Sequence, residues 1–246
     1  MIPKVIHYCW FGRGELPALA VKCIESWKKF MPDYEIKEWN EDNFDINIIS
    51  YTADAYKAGN YAFVSDYARF WVLYEYGGVY FDTDVEVIRS MEDVIGRGPY
   101  MGFELINSNG KFAVNPGLGM AAETGMDIYR KILKHYDSLP YLLENGERNP
   151  FSMIPLVTEL LKQNGLKGDG TIERITGFDV YPPDWFNPFD DVTGRLRKTE
   201  NTRTIHWSAK TWLPVDPTWL VPVKRIVRRV LGRNVFVGIK SLFGIG

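Results

Sequence analysis

This sequence has few cysteines, no long apolar stretch and a small net charge, and each of these features excludes or disfavours a class of protein. Its two cysteines, Cys9 and Cys23, form neither a disulfide framework nor a metal-ligand pattern, which favours a reducing compartment. No run reaches the roughly 20 apolar residues that a membrane-spanning helix needs, and the first residues lack the pattern of a secretory leader. The net charge of −2 gives no electrostatic reason to expect nucleic acid as a partner. We therefore expect a cytoplasmic protein that binds no nucleic acid.

Apolar and aromatic side chains, in contrast, are plentiful. Hydrophobic residues make up 46% and aromatic residues 15% of the 246 positions, which is enough for one domain with a packed core. The charge is uneven along the chain, because six basic and no acidic residues follow Asp216. We therefore divide the sequence into a main domain, residues 1–216, and a basic C-terminal tail, residues 217–246.

The N-terminal part alternates between strand and helix patterns. Lys4–Trp10 is predicted as a strand, the apolar spacing over residues 20–31 predicts a helix, and Tyr34–Trp39 alternates like a second strand. A stronger helix is predicted over Ala62–Tyr76, where a Gly-Gly pair supplies the stop. Strand, helix and strand in this order predict an α/β sheet with parallel pairing.

Later segments carry weaker patterns. The segment VYFDTDVEVI is predicted as one strand, or as two strands broken at its acidic pair, and Asn115–Met120 as a further strand. Helices are predicted over Asp127–Tyr136 and Ile154–Gln163, with short helical pieces over residues 42–60. Tyr181–Asp190 is rich in turn residues.

The acidic pair Asp82 and Asp84 is the first candidate site. On one extended strand Asp82, Asp84 and Glu86 would point to the same face, where three carboxylates repel one another unless they are solvated, share a proton or bind a cation. Mg²⁺ and Mn²⁺ commonly bind one or two carboxylates together with substrate phosphates, an arrangement that suits a diphosphate leaving group. A solvated strand end is the alternative interpretation.

The preceding helix adds a second candidate pair. Asp66 and Arg69 are three residues apart and therefore lie on the same side of the helix. They can form a simple intrahelical ion pair. Alternatively, Arg69 contacts a diphosphate or sugar oxygen and Asp66 orients it.

Three blocks of sequence together resemble a known family. IPKVIHYCWFG, SWKKFMPDYEIKEWN and SDYARFWVLYEYGGVYFDTDVEV resemble, in this order, the glycosyltransferases with a sugar-binding region containing the DXD motif. That group includes yeast-type initiating mannosyltransferases and bacterial capsular-polysaccharide transferases, and is related to the clostridial glucosylating toxins. The resemblance implies a GT-A-like sandwich, in which helices flank a Rossmann-like mixed sheet that binds the nucleotide sugar. It also implies transfer of a sugar from a nucleotide-diphosphate donor, with Mn²⁺ or Mg²⁺ as cofactor.

The resemblance also assigns roles to individual residues. Trp10 would stack on the donor base, although core packing at a strand end is the alternative. Asp66 and Arg69 would contact the sugar or ribose of the donor. Asp82 would bind a ribose hydroxyl or a metal-bound water, and Asp84 would ligate the metal directly.

Three further positions are predicted with an alternative beside each, and a fourth, His7, has one interpretation. Tyr80 lines the donor pocket or belongs to the core. His206, in the late segment TIHWSAKTW, completes the metal site or is a hydrogen-bonded packing residue. Asn115 contacts the sugar or is a turn residue ahead of a proline. His7, among apolar neighbours, is interpreted as structural. No residue qualifies as a general base, and retention of the anomeric configuration is implied by the resemblance alone.

The basic tail has the pattern of an amphipathic helix. Apolar residues recur at helical spacing from Val223 to Leu231, with basic residues on the opposite arc. Residues 221–246 are therefore predicted to bind an anionic membrane surface, at the inner face of the membrane, or to dock on the main domain. A glycan or lipid-linked acceptor in surface polysaccharide synthesis would give membrane binding a purpose.

Two other functions compete with transfer. Metal-dependent phosphohydrolases also use Asp-x-Asp, but they place the pair after the first strand and follow it with Thr or Ser, whereas this chain reads DTDVE. A non-catalytic module that binds carbohydrate or nucleotide sugar is the second alternative. The presence of Asp82, Asp84 and Arg69 in the sequence argues against a non-catalytic module.

Overall fold

The computed structural model describes residues 1–105, 112–175 and 177–209. The predicted tail, residues 217–246, lies outside the described residues, and so does its predicted amphipathic helix. Among the helices of the described ranges, none is both long and apolar enough to cross a membrane.

Twelve strands are found in the described ranges. They are β1 (Val5–Cys9), β2 (Glu35–Trp39), β3 (Gly78–Tyr80), β4 (Val85–Val87), β5 (Tyr100–Leu105), β6 (Phe112–Val114), β7 (Met120–Ala122), β8 (Glu173–Ile175), β9 (Phe178–Tyr181), β10 (Phe189–Asp190), β11 (Arg195–Leu196) and β12 (Thr204–His206). Eight of these form one mixed sheet in the order β2-β1-β3-β7-β5-β9-β8, with β6 paired to β5. β1 runs parallel to both β2 and β3, so the predicted parallel pairing is confirmed. Two small sheets join β10 to β11 and β12 to β4.

Helices cover both faces of the large sheet. They are α1 (Ala18–Phe30), α2 (Ser50–Lys57), α3 (Tyr61–Tyr76), α4 (Glu92–Ile95), α5 (Asp127–Asp137), α6 (Met153–Gln163) and α7 (Pro183–Phe186). On β1, Ile6 and Tyr8 belong to one apolar cluster and Cys9 to another, because successive side chains of a strand point to opposite faces. Helix α1 packs on the first cluster, whereas α2, α3, α5 and α6 pack on the second.

Helix α3 ends where the glycine pair predicts. Gly77 and Gly78 have φ values of 64° and 96°, in the region that favours glycine. A Cβ on Gly78 would also lie 2.8 Å from the carbonyl oxygen of Val5. The pair therefore lets the chain turn from α3 directly into β3, beside β1.

The segment after β3 confirms the predicted alternative of two strands and corrects the expectation for Glu86. The chain forms two strands broken at the acidic pair, because a turn closed by a hydrogen bond from the N–H of Val85 to the carbonyl of Asp82 (3.0 Å) separates β3 from β4. The prediction that Glu86 shares a face with Asp82 and Asp84 is therefore wrong. Glu86 instead binds Lys22 and the indole of Trp207.

The predicted strand over Asn115–Met120 is also wrong. Pro116–Leu118 form a 3-10 turn between β6 and β7. The side chain of Asn115 accepts a hydrogen bond from the N–H of Gly117 (2.8 Å), and Pro116 has no N–H to give a strand ladder. The turn-rich segment contains the short helix α7.

Candidate active site

A cavity of about 1190 Å³ opens at the carboxyl ends of the parallel strands β1 and β3. All of the residues predicted as site residues line it, together with loop residues on its far side. The predicted residues are Trp10, Asp66, Arg69, Tyr80, Asp82, Asp84, Asn115 and His206. The fold therefore brings the whole predicted set to one place, although it comes from positions far apart in the sequence.

Asp82, Asp84 and His206 form what we call the acid–histidine cluster. One ligand atom from each residue lies within 4.8 Å of the others. The two aspartates sit in the turn between β3 and β4, and His206 ends β12, where it pairs opposite Val85 of β4. Its Nε2 lies 3.3 Å from Oδ1 of Asp84. Antiparallel pairing of β12 with β4 thus carries the histidine to the acidic turn.

Arg69 joins helix α3 to this turn. Its Nη2 lies 3.0 Å from Oδ1 of Asp66 and 3.0 Å from Oδ1 of Asp82, and its side chain is only 5% exposed. Nε donates to the backbone carbonyl of Ser65 (3.3 Å), and Nη1 contacts the sulfur of Met153 (3.8 Å). The predicted intrahelical ion pair is present, and the same guanidinium also lines the cavity.

Asp82 has one carboxylate oxygen committed to the protein. Oδ1 accepts from Arg69 and from the hydroxyl of Tyr80 (3.1 Å). Oδ2 lies against the backbone of Gly117, where an added Cβ would stand 2.7 Å away. Glycine at position 117 therefore leaves room for Oδ2 to face the cavity.

Burial and charge shift the ionisation of these groups. Burial raises the pKa of Asp66 to about 6 and also raises the pKa of Asp82, while Arg69 opposes both shifts. Burial favours the neutral form of Asp84, but His206 and the N–H of Ala209 outweigh it, so its pKa lies below the usual value. Burial disfavours the charged form of His206, yet Asp84 outweighs burial and raises its pKa.

These groups fit a divalent cation. Two carboxylates and one imidazole converge, and oxygen and nitrogen ligands together suit Mn²⁺. Mg²⁺ prefers oxygen ligands, which the two carboxylates alone provide.

Trp10 and Tyr80 occupy different surroundings. Trp10 is half-buried in the loop after β1, where its Nε1 donates to the carbonyl of Gly14 (2.7 Å). Tyr80 is buried in the core, its hydroxyl donates to Asp82, and it lines the cavity.

His7 is structural, as predicted. It is buried in β1, its Nε2 bonds the carbonyl of Gly77 (3.0 Å), and its Nδ1 accepts from the indole of Trp39 (3.1 Å). Burial lowers the pKa of His7 to about 4.

Asn115 belongs to a small network that sequence patterns only partly reveal. Its Oδ1 holds the N–H of Gly117, and its Nδ2 donates to Oε2 of Glu104 (2.8 Å), a cavity residue that sequence reasoning missed. A carboxylate near the end of the apolar strand β5 was the available signal for Glu104. Gly117 gave no signal beyond its place in a turn.

Comparisons with known proteins agree with this geometry. Residues 17–101 match the model of the family described as glycosyltransferase sugar-binding region containing DXD motif. The chain is 31% identical over 98 residues to inositol phosphoceramide mannosyltransferase 3 of Schizosaccharomyces pombe. That match covers 38% of this chain and 27% of the relative, so the chain corresponds to less than a third of the relative's length.

Two solved structures resemble the fold. PaToxG glycosyltransferase aligns with a TM-score of 0.50 at 20% identity, covering 66% of this chain and 69% of that one. A glycosyltransferase involved in glycosylation of the major capsid of PBCV-1 aligns with a TM-score of 0.51 at 13% identity, covering 85% of this chain and 95% of that one. The predicted GT-A-like α/β fold is confirmed.

Proposed function

We propose, on the premise that residues 17–101 belong to the family of glycosyltransferases with a DXD-containing sugar-binding region, that the chain transfers a sugar from a nucleotide-diphosphate donor with the help of a divalent cation. One observation carries the proposal. The acid–histidine cluster and the buried guanidinium of Arg69 meet in a single cavity that is large enough for a nucleotide sugar.

Each residue has a role that its surroundings support. Asp84, Oδ2 of Asp82 and His206 would hold the cation, Mn²⁺ or Mg²⁺, which supplies positive charge to the diphosphate as it departs. Arg69 directs fixed donors at the same charge, and because it is already oriented by Asp66 and Asp82, little reorganisation is needed. Trp10 offers an aromatic face to the base at the end of β1.

The donor is proposed to be a UDP-sugar, with a GDP-sugar as the second choice because the family includes mannosyltransferases. The acceptor is proposed to be a glycan or a lipid-linked glycan in surface polysaccharide synthesis. The relative from Schizosaccharomyces pombe is named as a mannosyltransferase of inositol phosphoceramide, and a lipid acceptor there is consistent with a lipid-linked acceptor here. We also propose retention of the anomeric configuration.

A cytoplasmic protein that binds the inner face of a membrane through residues 221–246 remains our proposal for localisation. It is tested by sedimentation with anionic liposomes at low and high salt, before and after deletion of 217–246. Loss of salt-sensitive binding on deletion supports it. Intact protein that ignores anionic liposomes at low salt contradicts it.

The phosphohydrolase alternative needs a free carboxylate oxygen positioned to attack phosphorus, with the pair after the first strand. Here Asp82 follows the third strand of the chain, which is not the position that this class of enzyme requires. Only an activity assay can distinguish a non-catalytic binding module from a glycosyltransferase.

The experiment is a screen of nucleotide sugars for Mn²⁺-dependent hydrolysis and for thermal stabilisation. We expect one donor to do both, and we expect both effects to disappear with EDTA. Stabilisation without any turnover would favour the non-catalytic module, and hydrolysis of simple phosphate esters would favour the phosphohydrolase.

A further inference from the structure

His206 reaches the acid–histidine cluster at the end of a short strand. β12 is three residues long, and among the described residues it pairs with β4 alone. An isolated two-stranded ribbon is at best marginally stable in water. His206 is the last residue of β12, and Ser208 then turns the chain with a φ of 51°. Thr204 and Ile205 are buried and anchor the strand, but the pairing ends at His206, so contacts beyond the strand help to hold the histidine beside Asp84.

Two side chains, those of Glu86 and Lys22, contact the next residue, Trp207. The indole Nε1 of Trp207 donates to Oε2 of Glu86 (2.9 Å), and Nζ of Lys22 contacts the same oxygen (2.8 Å). The Lys22 ammonium also lies 5.2 Å from the centre of the Trp207 ring, within reach of a cation–π contact. We call Lys22, Glu86 and Trp207 the Trp207 latch. It ties α1, β4 and the end of β12 together.

The latch is linked to the site through the backbone. The N–H of Trp207 donates to the carbonyl of Asp84 (2.9 Å), and the N–H of Ala209 donates to Oδ2 of Asp84 (2.7 Å). Glu86 stands two residues after Asp84, so the fixed indole holds His206 and Asp84 in one register. The Glu86 side chain is only 17% exposed, which strengthens its contacts relative to those of open surface charges.

We propose that the Trp207 latch positions His206 and Asp84 for cation binding, with Glu86 as its central acceptor. This inference rests on the proposed function, because it takes the acid–histidine cluster to be a divalent-cation site. Glu86 is a positioning residue, since it acts through Trp207 and contacts neither Asp82 nor His206 by hydrogen bond. Without Glu86 the indole N–H loses its acceptor, and the end of β12 keeps its bonds to Asp84 and the ring contact of Trp207 with Phe189.

The first test measures binding of Mn²⁺ alone, from the signal of free Mn²⁺ in electron paramagnetic resonance. We expect Glu86→Ala to weaken binding about 10- to 100-fold, the range seen when partners behind a metal ligand are lost. Glu86→Gln can still accept the indole hydrogen bond and should lose less. The matched control is Glu25→Ala, which removes a carboxylate of α1 that pairs with Lys28 on the surface (2.6 Å). The control should bind Mn²⁺ like the wild type, whereas equal affinity in Glu86→Ala would overturn the proposal.

The second test needs no metal. Amide hydrogen exchange at Trp207 and Ala209, whose N–H groups donate to Asp84, should speed up in Glu86→Ala and in Trp207→Phe while exchange in α3 stays unchanged. Unchanged exchange in both variants refutes the latch. If the wild type binds no Mn²⁺, the proposed function fails, but amide exchange still decides whether the latch holds β12. If Glu86→Ala does not fold, Glu86→Gln and Trp207→Phe carry the same measurements.

Discussion

The two sides of the cavity are formed by different kinds of secondary structure. The sheet side (Asp66, Arg69, Asp82, Asp84 and His206) stands on helix α3 and on the strand ends, and its charged groups hold one another at 3.0–3.3 Å. The loop side (residues 59–63, 148–154 and 183–191) combines connecting segments with the first turns of α3 and α6, the short helix α7 and the two-residue strand β10.

One contact on the loop side is open to solvent. Arg148 is exposed, and its guanidinium lies 4.6 Å from the centre of the Phe63 ring. Rigid elements suit chemistry that depends on fixed distances, whereas loops suit recognition that differs between substrates. The comparison implies that substitutions on the sheet side should remove activity and that those on the loop side should adjust it.

The largest effect is expected on the sheet side. Asp84→Asn and Arg69→Ala should each lower turnover about 10²- to 10³-fold, because loss of one charge contact in the transition state costs about 2.7–4 kcal/mol. Kinetics and circular dichroism measure rate and fold together. Asp33→Asn, the same change on an exposed carboxylate, is the control, and it should keep both the turnover and the fold of the wild type. A folded Asp84→Asn protein with near wild-type turnover would break the distinction between the two sides.

Gly117→Ala should have the next largest effect. The new methyl group would stand 2.7 Å from Oδ2 of Asp82, and overpacking of this kind costs about 1–3 kcal/mol, so metal-dependent nucleotide binding should weaken about tenfold. Gly14→Ala is the matched control, because a Cβ there meets nothing within 4 Å and the carbonyl that binds Trp10 remains. Equal affinities of the two variants would show that Oδ2 does not face the ligand.

Cation binding should depend on pH through His206. Asp84 raises the pKa of this histidine above 6.5, so a proton occupies it at mildly acidic pH and must leave before the nitrogen can bind a metal. Affinity for Mn²⁺ should therefore rise as the pH increases through 6.5 and beyond, by up to about tenfold per pH unit. Titrations at a series of pH values, repeated with His206→Ala, measure this. The same pH dependence in the variant would assign it to another group.

The smallest effect is expected on the loop side. Arg148→Ala removes an exposed cation–π contact with Phe63, which is worth about 0.5–1 kcal/mol. Nucleotide binding with Mn²⁺ should change little, and any loss should appear in the KM for the acceptor. Calorimetry compares Arg148→Ala with the wild type. A loss as large as that of Asp84→Asn would place Arg148 among the rigid groups of the site.

Local patterns predicted most of what lies on the sheet side. Helix α3 and its glycine stop follow from apolar periodicity and backbone freedom, which depend on neighbouring residues only. Glu86 was misplaced because alternation on a strand assumes an unbroken strand, and the turn at Asp82–Asp84 breaks it. Residue spacing also could not place His206, which depends on long-range pairing of β12 with β4 and was anticipated only through the family resemblance.

The loop side and the inner network were harder to predict. Gly117 matters because of what approaches it in space, and Glu104 because Asn115 turns back toward β5. Neither relation leaves a periodic trace in the sequence. The strand predicted over Asn115–Met120 failed for the same reason, since a side-chain hydrogen bond to Gly117 competes with strand pairing.

Calorimetric titration of the intact chain with UDP and with GDP, each in Mn²⁺ and in EDTA, tests the central claim most directly. Two phosphates and the carboxylates of the acid–histidine cluster repel one another unless a cation lies between them. We expect measurable binding of one nucleotide, with UDP preferred, in Mn²⁺ and a large loss of affinity in EDTA. Equal affinity in both conditions would contradict the proposal that this cavity binds a nucleotide-diphosphate donor through a metal.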